Sequence, residues 1–174
     1  MTHILDTERL RLRQFTLDDT AFIIELLNSP GWLEFIGDRH VRTPEQAEVY
    51  LTNGPMKSYR VHGYGLSMVE KQDGTPVGMC GILNRDTLAW PDIGFAFLPA
   101  HQASGYAFEI AQAVMDHARH TLGLPKIAAV TIPGNARSIR LLEKLGLRYI
   151  EPHSFPGSQE VLSLYGNWAL YDRG

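Results

Sequence analysis

Apolar and polar residues alternate from Arg9 to Phe15, where the chain reads RLRLRQF, the period-two pattern of a strand with one buried face. The next stretch, TLDDTAFIIELLNSPG, changes period. Thr16 stands as N-cap, acids fill the first turn, and Leu17, Ala21, Ile24 and Leu27 make an apolar helical stripe that stops at Pro-Gly. TPEQAEVYLTNG repeats that grammar, with Thr43 as cap, Pro44 at the first helical position and Glu45 and Gln46 behind it. Three short apolar runs follow, YGLSMVEK, PVGMCGIL and DIGFAFLP, each bounded by turn residues, and they predict an antiparallel meander. Beyond Pro99 the period lengthens to that of a helix, with Ala107, Ile110, Ala111, Val114, Ala118 and Leu122 on one stripe ending at Gly123. A strand in KIAAVTI, a turn at PGN, a helix in ARSIRLLEKLG and two strands around LRYI and EVLSLYGNWAL complete the chain.

The predicted order is strand, two helices, three strands, helix, strand, helix, two strands. DIGFAFLP, the long helix and KIAAVTI form a strand-helix-strand crossover, so these two strands run parallel inside a mostly antiparallel sheet. The fold class is α/β (α+β), and 174 residues with no linker or repeat make one domain spanning 1–174.

Composition narrows the function. A net charge of −3 offers no electrostatic footprint for a nucleic-acid backbone. No apolar run approaches the roughly 20 residues of a membrane span, and MTHILDTERL carries charge too early for a signal peptide, so a cytoplasmic protein is expected. Cys80 is the single cysteine, in an apolar strand that predicts a buried, inert thiol. No metal is expected, because His117 and His120 lie off the apolar stripe of their helix and bring no third ligand. His101 borders the turn described next, without a motif that uses it, and a P-loop is absent.

The candidate chemistry lies in HQASGYA, between the strand DIGFAFLP and the long helix. A helix N-terminus leaves backbone N–H groups unpaired and carries about half a positive charge, so it binds anions without Lys or Arg. Gly105 permits close approach, Ala107 does not block it, Gln102 supplies an amide donor, and Ser104 either caps the helix or meets a phosphate oxygen.

Two blocks carry a resemblance to a known family. Gln102-Ala103-Ser104-Gly105-Tyr106-Ala107 is similar to the Gln/Arg-x-x-Gly-x-Gly/Ala motif of the GNAT superfamily of acyl-CoA N-acyltransferases. Asn135-Ala136-Arg137-Ser138, followed by Glu143-Lys144-Leu145-Gly146-Leu147, resembles that family's second conserved helix. The opening ILDTERLRLRQFTLDD looks like the start of the RimJ/RimL-type protein N-terminal acetyltransferase branch. Departures are Ala103 and Ser104, where many relatives have glycine and a basic residue, and Leu147 in place of phenylalanine.

The resemblance implies a GNAT fold of about six to seven strands, helices on both faces and a central parallel pair splayed around acetyl-CoA. It implies that backbone groups of Phe95, Ala96, Phe97 and Leu98 hold the pantetheine, one N–H polarising the acetyl carbonyl. The turn from Gln102 to Ala107 would take the pyrophosphate, helped by Arg137 or Arg140. Asn135 would bond the pantetheine amides, cap the next helix, or both. Ser138 would face the thioester sulfur as an acid, its alternative being a small packing residue; Tyr149 and Tyr165 lack motif support. Asp92 would act as base through water, its alternative being an exposed strand-end acid.

The implied activity is acetyl transfer to a primary amine by direct attack in a ternary complex. An α-amine near pKa 7.8 is about one-third neutral at pH 7.5, whereas a lysine amine near 10.4 costs roughly 4 kcal/mol to deprotonate. A peptide or protein N-terminus is therefore the first expected acceptor, a small amine such as an antibiotic or polyamine the second, and a non-catalytic acyl-CoA sensor the third reading. A monomer or homodimer is expected. Acceptor choice should reside in GWLEFIGDRHVRTPEQ and the C-terminal hairpin, where the resemblance is weakest.

Overall fold

The computed structural model describes residues 2–168; the last two residues of the predicted closing strand, 169 and 170, lie outside them. A hairpin of β1 (His3–Asp6) and β2 (Leu10–Arg13) opens the chain. Four helices follow: α1 (Thr20–Leu27), α2 (Pro30–Phe35), α3 (Pro44–Asn53) and α4 (Pro55–His62). The meander is β3 (Ser67–Lys71), β4 (Pro76–Leu83) and β5 (Asp92–Phe97). Then come α5 (Tyr106–His120), β6 (Ala128–Thr131), α6 (Ala136–Lys144), β7 (Arg148–His153) and β8 (Leu162–Gly166).

The eight strands form one sheet in the order β1-β2-β3-β4-β5-β6-β8-β7, with β5 and β6 its parallel pair. The predicted class and crossover are present, and β1 adds one strand to the expected number. Its two apolar residues, Ile4 and Leu5, are too few to show a period, and pairing with β2 defines it.

Helix ends follow local chemistry. At α3 the Thr43 hydroxyl accepts from Gln46 N at 3.2 Å while Gln46 Oε1 accepts from Thr43 N at 3.1 Å, a reciprocal cap. Pro30 is expected to stop a helix; it instead starts one, as does Pro55, because a proline at the first helical position lacks only an N–H that has no partner there anyway. The expected stripe of α1 is out of phase. Thr16 caps a single 3₁₀ turn, Leu17–Asp19, and at three residues per turn this rotates the following helix relative to a continuous α-helical count. Leu17 is 44% exposed and Ala21 is exposed, while Phe22, Ile23, Leu26 and Leu27 are buried. On α5 the expected stripe is the buried one, with Ile110, Ala111, Val114 and Ala118 inside.

Strand alternation separates two cores. Leu10, Val69, Cys80, Ile93 and Phe97 face α5 and α6, where they meet Ile110, Val114 and Leu142. Met68, Met79, Ala96 and Leu98 turn to the opposite face and pack with Phe15, Ile23, Leu26 and Leu51 of the N-terminal helices. A smaller cluster of Leu88, Leu164 and Trp168 covers Ala128, with the ring centre of Trp90 4.6 Å from that of Trp168. Cys80 is fully buried, and burial pushes its thiol up to about 12.

One ionic cluster anchors the sheet to the N-terminal helices. Arg13, 8% exposed, donates through both terminal nitrogens to Asp19 at 2.9 and 3.0 Å and through Nε to Glu70 at 3.1 Å. No helix among the described residues is long and apolar enough to cross a membrane.

Candidate active site

β5 and β6 touch at one register position, Asp92 opposite Ala128, with Ala128 N donating to Pro91 O over 2.8 Å. Beyond it the strands part, and a cavity of about 1080 Å³ fills the space between them and the N-terminal helices. Parting leaves backbone groups without a neighbour strand. Leu98 N donates to Val77 O at 3.0 Å, so Leu98 and, by alternation, Ala96 and Gly94 turn their amide groups to β4. Phe95 and Phe97 therefore present theirs to the gap. Side chains alternate the other way: Asp92, Gly94 and Ala96 share the face toward α1–α4, and the small pair leaves the cavity floor open.

The cavity collects Asp92, Phe95, Ala96 and Phe97 from β5 and Gln102, Ala107, Asn135, Arg137, Ser138 and Arg140 from the two sequence blocks. Leu98 is not among its walls; it is 8% exposed within the N-terminal core. Ala103, Ser104 and Gly105 lie exposed at the turn, outside the lining, and Tyr106 turns toward the first hairpin.

Gln102 straps the two sides of the gap: its Nε2 donates to Phe97 O at 3.1 Å and its Oε1 accepts from Arg137 at 2.6 Å. Asn135 caps α6 by accepting from Ser138 N at 3.2 Å. The half-buried Ser138 hydroxyl has no hydrogen-bond partner among the described residues.

At the turn, Gly105 has φ +79°, the left-handed region that glycine enters without strain, and it forms the N-cap of α5. Glu109 N donates to Gly105 O at 3.2 Å, which leaves the N–H groups of the preceding turn pointing outward. Arg9 was not singled out in the sequence. Its Nη1 donates to Ser104 O at 2.9 Å, its Nε pairs with Glu109 at 2.7 Å, and its guanidinium lies 4.6 Å from the centre of the Tyr106 ring. With Thr7, which also bonds Glu109, it ties the turn to the first hairpin. The separation of about a hundred residues hides this from any local pattern.

Asp92 is not an exposed strand-end acid. It is 1% exposed, and Arg85 Nε donates to its Oδ1 at 3.1 Å. Burial raises the Asp92 carboxyl above its ordinary range, and the Arg85 charge and hydrogen bond oppose this without cancelling it. Arg85 comes from the β4–β5 connection and lies 5.4 Å over Phe155, from the β7–β8 connection. Tyr50 of α3 and Arg39, just after α2, complete this end of the cavity. Both segments expected to govern acceptor choice thus border it.

The fold that carries this site is shared with solved acetyltransferases. An acetyltransferase from Agrobacterium tumefaciens str. C58 superposes with TM-score 0.79 at 25% identity, over 95% of this chain and 94% of that one. A GNAT-family acetyltransferase from Bacillus anthracis gives TM-score 0.75 at 25% identity, over 95% and 96%. YkkB of Bacillus subtilis is 32% identical over 83% of this chain and 85% of its own. YoaA of the same organism, described as an N-acetyltransferase, is 28% identical over 85% and 84%. Residues 9–148 match the acetyltransferase (GNAT) domain, and the chain belongs to that family. It is an acetyl-CoA-dependent N-acetyltransferase that transfers an acetyl group to an amine.

Proposed function

We propose that the acceptor is an α-amine, first of all the N-terminus of a peptide or protein, acetylated by direct attack within a ternary complex. The observation that supports the cosubstrate's place is the parting of β5 from β6 after Asp92. The Phe95 and Phe97 amide groups then face a gap that an extended pantetheine arm can fill as a missing strand. The diphosphate falls to the turn before α5, with Arg137 and Arg140 on the facing helix, and Asn135 Nδ2 offers an amide donor between.

Each remaining group has a chemical task. Phe95 N–H donates to the acetyl oxygen as negative charge develops there. Asp92, its basicity raised by burial, takes the ammonium proton through water. The Ser138 hydroxyl donates to the departing thiolate. A covalent acyl-cysteine route has no candidate, since the single cysteine is sealed in the core with its thiol near 12.

A single carboxylate, partly neutralised by Arg85, suits an amine that is already partly neutral. Screening N-terminal peptides, lysine-like amines and polyamines with acetyl-CoA, while following thiol release, tests the reading. A higher kcat/KM for polyamines than for every α-amine would overturn it.

A further inference from the structure

The acceptor end of the cavity is built from hydrogen-bond donors that its own carboxylates do not consume. Arg85 uses Nε on Asp92, and its two terminal nitrogens have no partner among the described residues. Arg39 has no hydrogen-bonding or ionic partner among them either, and it lines the same cavity. Tyr50, on the neighbouring helix, has a hydroxyl with no hydrogen-bond partner among the described residues. Trp32, 6% exposed, adds an indole Nε1 that is buried without one.

These groups share one electrostatic neighbourhood. Burial raises the Tyr50 phenol above its ordinary pKa, and the charges that act against this are the Arg39 and Arg85 guanidiniums. Glu34 and Glu160 also border the cavity; like Arg39 they are exposed to solvent, where water screens them, so the half-buried Arg85 and Tyr50 set the sign of the inner wall. Asp92, the buried carboxylate in the cavity wall, is already matched by Arg85.

We propose that this acceptor site recognises an amine that carries a carboxylate close to it, held by Arg39, the free edge of Arg85 and the Tyr50 hydroxyl. The inference rests on the α-amine reading and narrows it. Two guanidiniums beside the entrance repel a polycation and complement a carboxylate, which guanidinium nitrogens bind as a pair of charge-assisted hydrogen bonds. The same chemistry comes from two sources: the α-carboxylate of a free amino acid, or the side chain of an acidic residue at a peptide N-terminus.

Matched acceptors distinguish them. Peptides beginning Glu are compared with the same peptides beginning Gln, and free amino acids with their α-amides, each rate corrected for the neutral-amine fraction; spermidine is the cationic contrast. The acidic member of one pair should be preferred about ten- to hundredfold in kcat/KM, the worth of one charge-assisted hydrogen bond. Which pair shows it names the source. Arg39→Gln should reduce that preference about tenfold through KM, whereas Arg60→Gln, an exposed charge on α4 away from the cavity, should leave it intact. Preference for the neutral or cationic acceptor, or a preference that survives Arg39→Gln, overturns the proposal.

If no acceptor releases thiol, the activity reading fails while this one stays testable by calorimetry. With coenzyme A present, N-acetylglutamate should bind more tightly than N-acetylglutamine, or N-acetylglutamine more tightly than its α-amide, and Arg39→Gln should erase the difference. Equal affinities within both pairs would overturn the proposal.

Discussion

Arg85 donates to Asp92 across 3.1 Å, yet the carboxyl still holds its proton to higher pH than an ordinary aspartate, because burial outweighs the ion pair. The activity consequence has a definite sign. The acid limb of kcat/KM should lie above the ordinary carboxylate range, and Arg85→Gln should move it higher still by removing the groups that oppose the upward shift. Asp92→Asn should abolish that limb and leave only the titration of the acceptor amine itself. A pH–rate profile with the limb unmoved in Arg85→Gln would remove Asp92 as the base.

The same group acts on stability in the other direction. A raised native pKa means that the folded chain binds the Asp92 proton more tightly than the unfolded chain. Its contribution is complete below the unfolded carboxylate pKa and is lost as pH rises through the native value. Thermal melts of Asp92→Asn against the parent should therefore shift in the variant's favour between pH 4 and pH 8, while its turnover falls.

Gly105→Ala and Gly105→Glu separate backbone strain from charge. Either side chain must adopt φ near +79°, costing about 1–2 kcal/mol, and its Cβ would lie 3.4 Å from Arg9 Nη2. Both variants should lose that much stability in denaturant titrations. Only the glutamate should also abolish acetyl-CoA binding in calorimetry, because it sets a negative charge where a diphosphate is proposed to sit. Wild-type affinity in Gly105→Glu would reduce the turn to a helix cap.

Ser138→Ala should lower kcat and kcat/KM together, by about 10²- to 10⁴-fold if the hydroxyl acts as general acid, with acetyl-CoA affinity retained. Its backbone N–H remains bonded to Asn135, so the helix start should survive. Rapid-quench turnover equal to the parent's would leave the thiolate to backbone groups or water.

Arg13→Met leaves Asp19 in the interior without its cation and Glu70 with only the half-exposed Arg11 at 3.7 Å, and a loss of about 3–5 kcal/mol is expected. Replacing all three by apolar residues of similar volume should recover most of it. Urea denaturation of the single and triple variants checks both statements, and the active-site cavity, on other residues, should keep its ligand affinity.

The crossover and the meander are legible in the sequence because each depends on local periodicity or on short-range turn chemistry, whereas the two blocks around Gly105 and Asn135 stand out through their resemblance to the family. DIGFAFLP was readable as the strand beside the gap, but not which of its amide groups face it; that depends on the register with β4 fixed by Leu98 and Val77. The phase of α1 was misread because one 3₁₀ turn at Leu17 rotates everything after it. α2 and α4 were hidden by prolines that mark starts as readily as stops. Arg9, Tyr50 and Arg85 lie in segments whose own patterns say nothing of the site, and Arg39 sits without a motif inside the segment expected to govern acceptor choice; only the folded sheet and its helices bring them together.

The three tryptophans divide in a useful way. Trp90 and Trp168 lie against each other, tilted by 30° with ring centres 4.6 Å apart, beside Ala128, whereas Trp32 stands alone in the cavity wall on α2. Indole emission follows the polarity and donor geometry around the ring, so that pair should give a steady background while Trp32 responds to whatever enters. Trp32→Phe identifies its share of the signal. The chain thus carries a built-in optical reporter for its own acceptor pocket, and titrations can proceed without label or turnover.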